Sequence, residues 1–164
     1  MRDSATVFRT VQDAADLARL ECALRALSAD IAEDYATDSA ALAQAVLADR
    51  PSAHGLLALR GNQTLGAALC SPVFSTVRGA AGAYVSDLWV TADARGQGLG
   101  ARLLAQIAQE GAVRWRATWL KLAVYDHSED AQRFYQRLGF EPARGMQEMR
   151  LGPQGVANLI KRAE

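Results

Sequence analysis

The stretch 82–104, "GAYVSDLWVTADARGQGLGARLL", decides the fold. Its opening, "GAYVSDLWV" (82–90), is rich in aromatic and β-branched side chains and reads as a strand. Its end runs into a helix that carries Leu99, Leu103 and Ile107 on one face. Between them, "RGQGLG" (95–100) alternates glycine with other residues. Gly98 and Gly100 stand where the chain leaves the strand and enters the helix. The unpaired N–H groups of the first helical turn therefore face outward, with the positive end of the helix dipole behind them. Without Cβ atoms in the way a phosphate can approach this backbone closely, and Arg95 adds a charge at the loop's entrance. The same glycines would also serve a plain turn that needs their conformational range. A Walker A loop requires Lys-Ser or Lys-Thr after the last glycine, and Ala101-Arg102 follows here. Gly96, Gly98 and Gly100 give G-x-G-x-G, which is not the dinucleotide fingerprint G-x-G-x-x-G.

Upstream, "TVFRT" (6–10) alternates as a strand does, and Asp13 can cap a helix with Leu17, Leu20, Leu24 and Leu27 inward. A second helix is expected after Asp38 or Ser39 through "ALAQAVLAD" (41–49), stopped by Pro51. "HGLLAL" (54–59) and "TLGAALCSPV" (64–73) flank Gly61-Asn62, a hairpin dipeptide. Downstream, "WLKLAVY" (119–125) reads as a strand. "EDAQRFYQRLGF" (129–140) reads as a short helix with Ala131, Phe134 and Leu138 inward and Gly139 as a left-handed cap. A closing strand pair about "EPA" (141–143) and "QEMRL" (147–151), then a helix from Pro153, complete the expectation. Strands on both sides of a βαβ unit indicate an α/β or α+β sheet protein.

The chain has 164 residues, half of them hydrophobic, without a linker or low-complexity tract, so one domain over 1–164 is expected. Its 18 basic and 18 acidic residues cancel, which leaves no overall positive field to draw nucleic acid or a membrane surface. There is no apolar leader or spanning run, so a cytoplasmic protein is expected. In that reducing compartment Cys22 and Cys70 are read as small buried residues rather than a disulfide. His54 and His127 lie in no ligand pattern, and no metal site is expected.

Arg95-Gly96-Gln97-Gly98-Leu99-Gly100 resembles the R/Q-x-x-G-x-G/A loop of the GNAT superfamily of acyl-CoA N-acyltransferases. "SDLWV" resembles the strand before that loop, and "AQRFYQRLGF" resembles the family's later A-x-x-x-Y-x-x-x-G-F helix and turn. More narrowly, "ADRPSAHGLLAL", "LGAALCSPVFST", "RGAAGAYVSDLWV" and "RLGPQGVANL" are similar to the diamine and spermidine N-acetyltransferase branch. The resemblance implies a mixed central sheet of six to seven strands with helices on both faces, splayed between the fourth and fifth strands. It also implies transfer of an acetyl group from acetyl-CoA to an amine, by a homodimer, with a small-molecule acceptor.

Carried over by position, Leu88, Trp89 and Val90 would present strand backbone to the pantetheine and acetyl group, and Gly96, Gln97, Gly98, Leu99, Gly100 and Ala101, with Arg95, would hold the pyrophosphate. Lys121, Leu122 and Ala123 would flank the opening for CoA, with Ser128, Asp130 and Ala131 on its far side. Tyr135 matches the tyrosine that protonates the departing thiolate. An alkylamine of pKa near ~10.4 must lose a proton before it attacks, and Asp87 is the carboxylate best placed to take it, directly or through water. In this branch a glutamate usually precedes that aspartate, and Ser86 stands here instead. Arg144-Gly145-Met146 replaces the branch's acidic tail, and Ser128 a common asparagine. Polyamine is thus one acceptor, with an amino acid, an aminoglycoside or a protein amine as alternatives, and Ser86, Glu33, Asp34 and Asp38 as acceptor-side residues. A catalytically weak acyl-CoA-binding protein is the further alternative.

Overall fold

The computed structural model describes residues 5–163. They divide into two compact units, one ending at Tyr125 and one beginning at Asp126. The first holds a five-stranded mixed sheet in the order β1 (Val7–Thr10), β2 (His54–Arg60), β3 (Gln63–Ser75), β4 (Ala80–Val90), β5 (Trp119–Leu122). Neighbours are antiparallel except β4 and β5, which are parallel. The β2–β3 hairpin turns at Gly61, whose φ of 58° is the left-handed value such a turn needs.

Two helices cover one face of the sheet. In α1 (Ala14–Asp30) the Asp13 side chain accepts from the Asp16 N–H at 2.8 Å, and Leu17, Leu20 and Leu24 are buried. In α2 (Ser39–Leu47) Asp38 caps by accepting from the Ala41 N–H at 2.6 Å. Their apolar stripes form one cluster with Leu57, Leu59 and Ala67 of the sheet. Buried Asp16 is tolerated because the Arg9 guanidinium pairs with it and Arg19 stands 3.6 Å away. The third helix, α3 (Leu99–Trp115), lies on the other face and buries Leu99, Leu103, Leu104 and Ile107. A methyl group at Gly66, which neighbours Ala67 and points the opposite way, would sit 2.8 Å from Leu103.

β4 changes character midway. Its ladder with β5 runs only from Gly82↔Trp119 to Val85↔Leu122, while its ladder with β3 continues to Val90. At that same point the β3–β4 register slips, Cys70 facing Val85 and Leu69 facing Asp87, so that Ser86 is the extra residue of a bulge. Ser86–Val90 therefore extends beyond the last pair with β5, with a partner on one side only.

The second unit carries α4 (Glu129–Arg137) and α5 (Pro153–Ile160), the latter opened by a proline in its first turn. None of its described residues is buried.

Several expectations need correction. The sheet has five strands rather than six to seven, because 141–143 and 147–151 are not strands. Pro142 offers no N–H, Gly145 turns the chain at φ 72°, and Met146, Met149 and Leu151 are too few apolar side chains to bury a sheet face. β5 stops at Leu122 rather than Tyr125, where β4 ceases to accompany it. The second helix ends at Leu47, ahead of Pro51. Leu138 is 44% exposed because it follows the last helical residue and precedes the left-handed Gly139. Cys22 is a free, exposed thiol, since it projects from α1 away from the stripe of Leu17, Leu20 and Leu24.

Candidate active site

Asp87 lies just past the bulge, on the sheet face that carries Leu69 and, two residues on, Trp89. Burial pushes its carboxyl above the usual carboxylate range, and the Ser86 hydroxyl, 2.7 Å from Oδ2, partly offsets that. Ser86 Oγ is also 3.2 Å from the Leu69 carbonyl, so its single proton serves one acceptor at a time. The bulge thus does two things: it turns a carboxylate onto the α1/α2 face, and it seats a hydroxyl against it.

Beyond Val90 the chain passes a 3-10 turn, Ala92–Ala94, and enters the glycine loop. Gly96 and Gly98 take φ of 75° and 77°, and nothing lies within 4 Å of where their Cβ atoms would be. Gly98 is the N-cap of α3, with no side chain capping the helix. An open, uncapped helix N-terminus fronted by bare backbone fits the diphosphate of a coenzyme A donor. The loop's polar side chains are turned back onto the protein. Gln97 Nε2 donates to the Asp93 carbonyl at 2.8 Å, and Arg95 Nε donates to the Val90 carbonyl at 2.9 Å. Arg95 also pairs with Asp30 at the end of α1, and the same Asp30 oxygen accepts from Trp89 Nε1 at 3.2 Å.

On the β5 side, Lys121 is exposed with its ammonium 5.3 Å from the Tyr84 ring, Leu122 closes the strand, and Ala123 lies in the following loop. Glu33 accepts from the Tyr125 hydroxyl at 3.0 Å, and Asp34 is exposed. Glu21 accepts from Ser39 and from Arg25, both at 2.7 Å, which holds its carboxyl below the usual range. Arg25 in turn covers the Tyr35 ring at 4.3 Å.

The structure therefore gathers Asp87, Ser86, Leu88–Val90, Arg95–Ala101 and Lys121–Ala123 in the first unit. Ser128, Asp130, Ala131 and Tyr135 belong to the second. There Ser128 is the N-cap of α4, Asp130 pairs with Arg133 at 2.6 Å, and Tyr135 meets Phe140 edge to face with centroids 5.6 Å apart. Burial pushes the Tyr135 phenol upward, still further from neutral pH than an ordinary phenol. Sequence reasoning missed Asp30. One signal was available: an acid in the last turn of a helix opposes the dipole, so a partner was to be expected.

With this geometry in hand, comparison with known proteins is specific at the level of family. The sequence profile of the Acetyltransferase (GNAT) family matches residues 16–140. The chain belongs to the GNAT acetyltransferases, enzymes that use acetyl-CoA. Among solved structures it is similar to an integron cassette protein from the mobile metagenome of V. cholerae, with 21% identity, 95% of this chain and 98% of that one covered, and a TM-score of 0.75. The aminoglycoside N-acetyltransferase AAC(6′)-Iy in complex with CoA is similar at 17% identity, 92% and 97% coverage and a TM-score of 0.74. A ribosomal-protein-alanine N-acetyltransferase from Brucella melitensis biovar Abortus 2308 follows at 17%, 90% and 99%, and 0.70. These likenesses establish a shared fold. A search of curated proteins finds no match. The finer resemblance to diamine and spermidine acetyltransferases finds no support in these relatives.

Proposed function

We propose that this acetyltransferase moves the acetyl group from acetyl-CoA directly to a primary amine of a small molecule, within a ternary complex. The observation that carries the reading is β4 itself, which leaves β5 at Val85 and then presents Asp87 eight residues before the glycine loop begins at Arg95. The amine nitrogen attacks the thioester carbonyl carbon, so an N–C bond forms and the C–S bond breaks. Asp87, directly or through a water, takes the ammonium proton; its raised pKa makes it the stronger base. Strand N–H groups among Leu88–Val90 polarise the carbonyl oxygen. Tyr135, assigned by its motif, returns a proton to the departing thiolate. The glycine loop, through Gly96–Ala101, holds the diphosphate, with Lys121–Ala123 beside the donor; Ser128, Asp130 and Ala131 are assigned to the donor by their motif positions alone.

For the acceptor, an aminoglycoside, an amino acid or a protein amine stands beside a polyamine. Most acids on the α1/α2 side are already engaged: Asp38 caps α2, Glu21 holds Arg25 and Ser39, Asp30 holds Arg95, and Glu33 accepts from Tyr125. Of these only Glu21 and Asp30 are neutralised by arginines, so Asp87, Asp34, Glu33 and Asp38 keep a charge that attracts a cationic amine. We place the whole chain in one functional domain, because the family match runs through Tyr125 into the second unit. The free thiols of Cys22 and Cys70 favour a cytoplasmic setting. The exposed Val156, Leu159 and Ile160 of α5 favour a homodimer, which light scattering would reveal as twice the chain's mass.

Thiol release from acetyl-CoA over a panel of spermidine, diamines, amino acids, aminoglycosides and peptides tests the activity. Turnover by wild type, lost in Asp87→Asn, is expected. CoA binding with silence across the panel would favour the acyl-CoA-binding alternative.

A further inference from the structure

Arg95 looks at first like a hand for the donor's phosphates, yet its guanidinium is already occupied. Nη2 pairs with Asp30 and Nε donates to the Val90 carbonyl at 2.9 Å, so only one nitrogen remains uncommitted to these partners. The Asp30 carboxylate simultaneously accepts from Trp89 Nε1 at 3.2 Å. One carboxylate at the end of α1 thus ties together the tip of β4 and the entrance of the glycine loop, positions 59 and 65 residues away in sequence. Asp30 and Arg95 are 43% and 53% exposed, so as an isolated ion pair this contact would be worth little. Its importance is geometric: it closes a ring through three separate elements. The loop's interior is braced in the same sense, with Gln97 bound to the Asp93 carbonyl and the Arg95 N–H to the Ala92 carbonyl at 3.2 Å. Both polar side chains are tied back to the chain by these bonds, and the loop's backbone N–H groups are left to meet an anion.

We propose that Asp30 is a positioning residue of the donor loop: by holding Arg95 and Trp89 it fixes the loop's entrance, so that Gly96–Gly100 is ordered before the donor's diphosphate arrives. Arg95 is then a strut rather than a phosphate ligand. This rests on reading the loop as the acetyl-CoA site, but the ordering of the loop can be measured without any donor.

The first measurement is tryptic cleavage at the Arg95–Gly96 bond in the folded, ligand-free protein, followed by mass spectrometry. Proteolysis samples local opening of the chain. Asp30→Ala is expected to accelerate this cleavage about tenfold, while cleavage at distant arginines is unchanged and Tm stays within a few degrees. Asp30→Glu, which keeps the carboxylate, is expected to restore most of the protection. The second measurement is CoA affinity by calorimetry. Asp30→Ala and Arg95→Gln are each expected to weaken it severalfold, with the double variant no weaker than either single one. Unchanged cleavage in Asp30→Ala overturns the proposal whether or not CoA binds. Tighter CoA binding in Asp30→Ala also overturns it, because that would make Arg95 a phosphate ligand masked by Asp30. If the wild type binds no CoA while Asp30→Ala still opens the loop, the acetyltransferase site assignment fails and the positioning of the loop by Asp30 stands.

Discussion

The two halves of β4 make an instructive contrast. Gly82–Val85 is hydrogen-bonded to strands on both sides, and Gly82, Ala83 and Val85 are buried; Ser86–Val90 is paired on one side only and has no fully buried residue. The first half is chosen for fit. A Cβ on Gly82 would lie 2.4 Å from the Trp119 ring, and Ala83 faces α3 near Gly111. The second half carries a carboxylate, a hydroxyl and strand backbone that pairs on one side only. The bulge at Ser86 is the boundary, and on the proposed function it makes one continuous strand both framework and site.

The most severe way to sharpen this contrast is Asp87→Asn. Loss of the proposed base is expected to lower kcat/KM about 10²–10⁴-fold on a responsive amine, without loss of folding. The same variant carries a stability signature. Because burial raises the Asp87 pKa, its protonated form suits the fold, and that advantage is lost as pH rises through the folded-state value. Asp87→Asn is therefore expected to raise Tm slightly at neutral pH, a gain that disappears in acid; a lowered Tm at neutral pH would contradict the burial of a costly charge. In the first half of the strand the reverse pattern is expected. Gly82→Val should destabilise by about 1–3 kcal/mol in urea titration, because the Trp119 ring must move, with activity per folded molecule falling far less than in Asp87→Asn. Trp89→Phe removes the indole donor to Asp30 and should cost about 1 kcal/mol or less in the same titration. Smallest is Ser86→Ala. Its hydroxyl favours the ionised carboxylate, so its removal should move the acid limb of the kcat/KM profile to higher pH. A limb moving toward acid would break the assignment of Asp87 as base.

What the sequence disclosed was mostly local. The caps Asp13 and Asp38, the turn at Gly61, the glycines before α3 and the proline opening α5 each depend on a residue and its near neighbours, and all are found where expected. The family motifs are similarly short, and the profile match confirms the family they suggested. The bulge was invisible because it arises from the fit of two strands: Ser86 contacts Leu69 across 17 residues, and no periodicity in either segment encodes the slip. The Asp30 tie spans 65 residues for the same reason. The expected last two strands failed on composition. A strand needs enough apolar side chains on one face to repay ordering, and "EPARGMQEMRL" supplies few and interrupts them with Pro142 and Gly145. Acceptor identity was the least legible, because it depends on which carboxylates remain uncommitted after folding.

The order of the strands has a consequence for how the chain assembles. β2, β3 and β4 follow one another through short turns, so the broad antiparallel part of the sheet needs only contacts that are close in sequence, and such contacts form early. The parallel β4–β5 ladder must wait for the whole of α3 to be made and docked. As the chain leaves a ribosome, the slipped register that turns Asp87 toward α1 can thus be set before β5 has docked. The proposed base would be in its place before the parallel ladder beside it has closed.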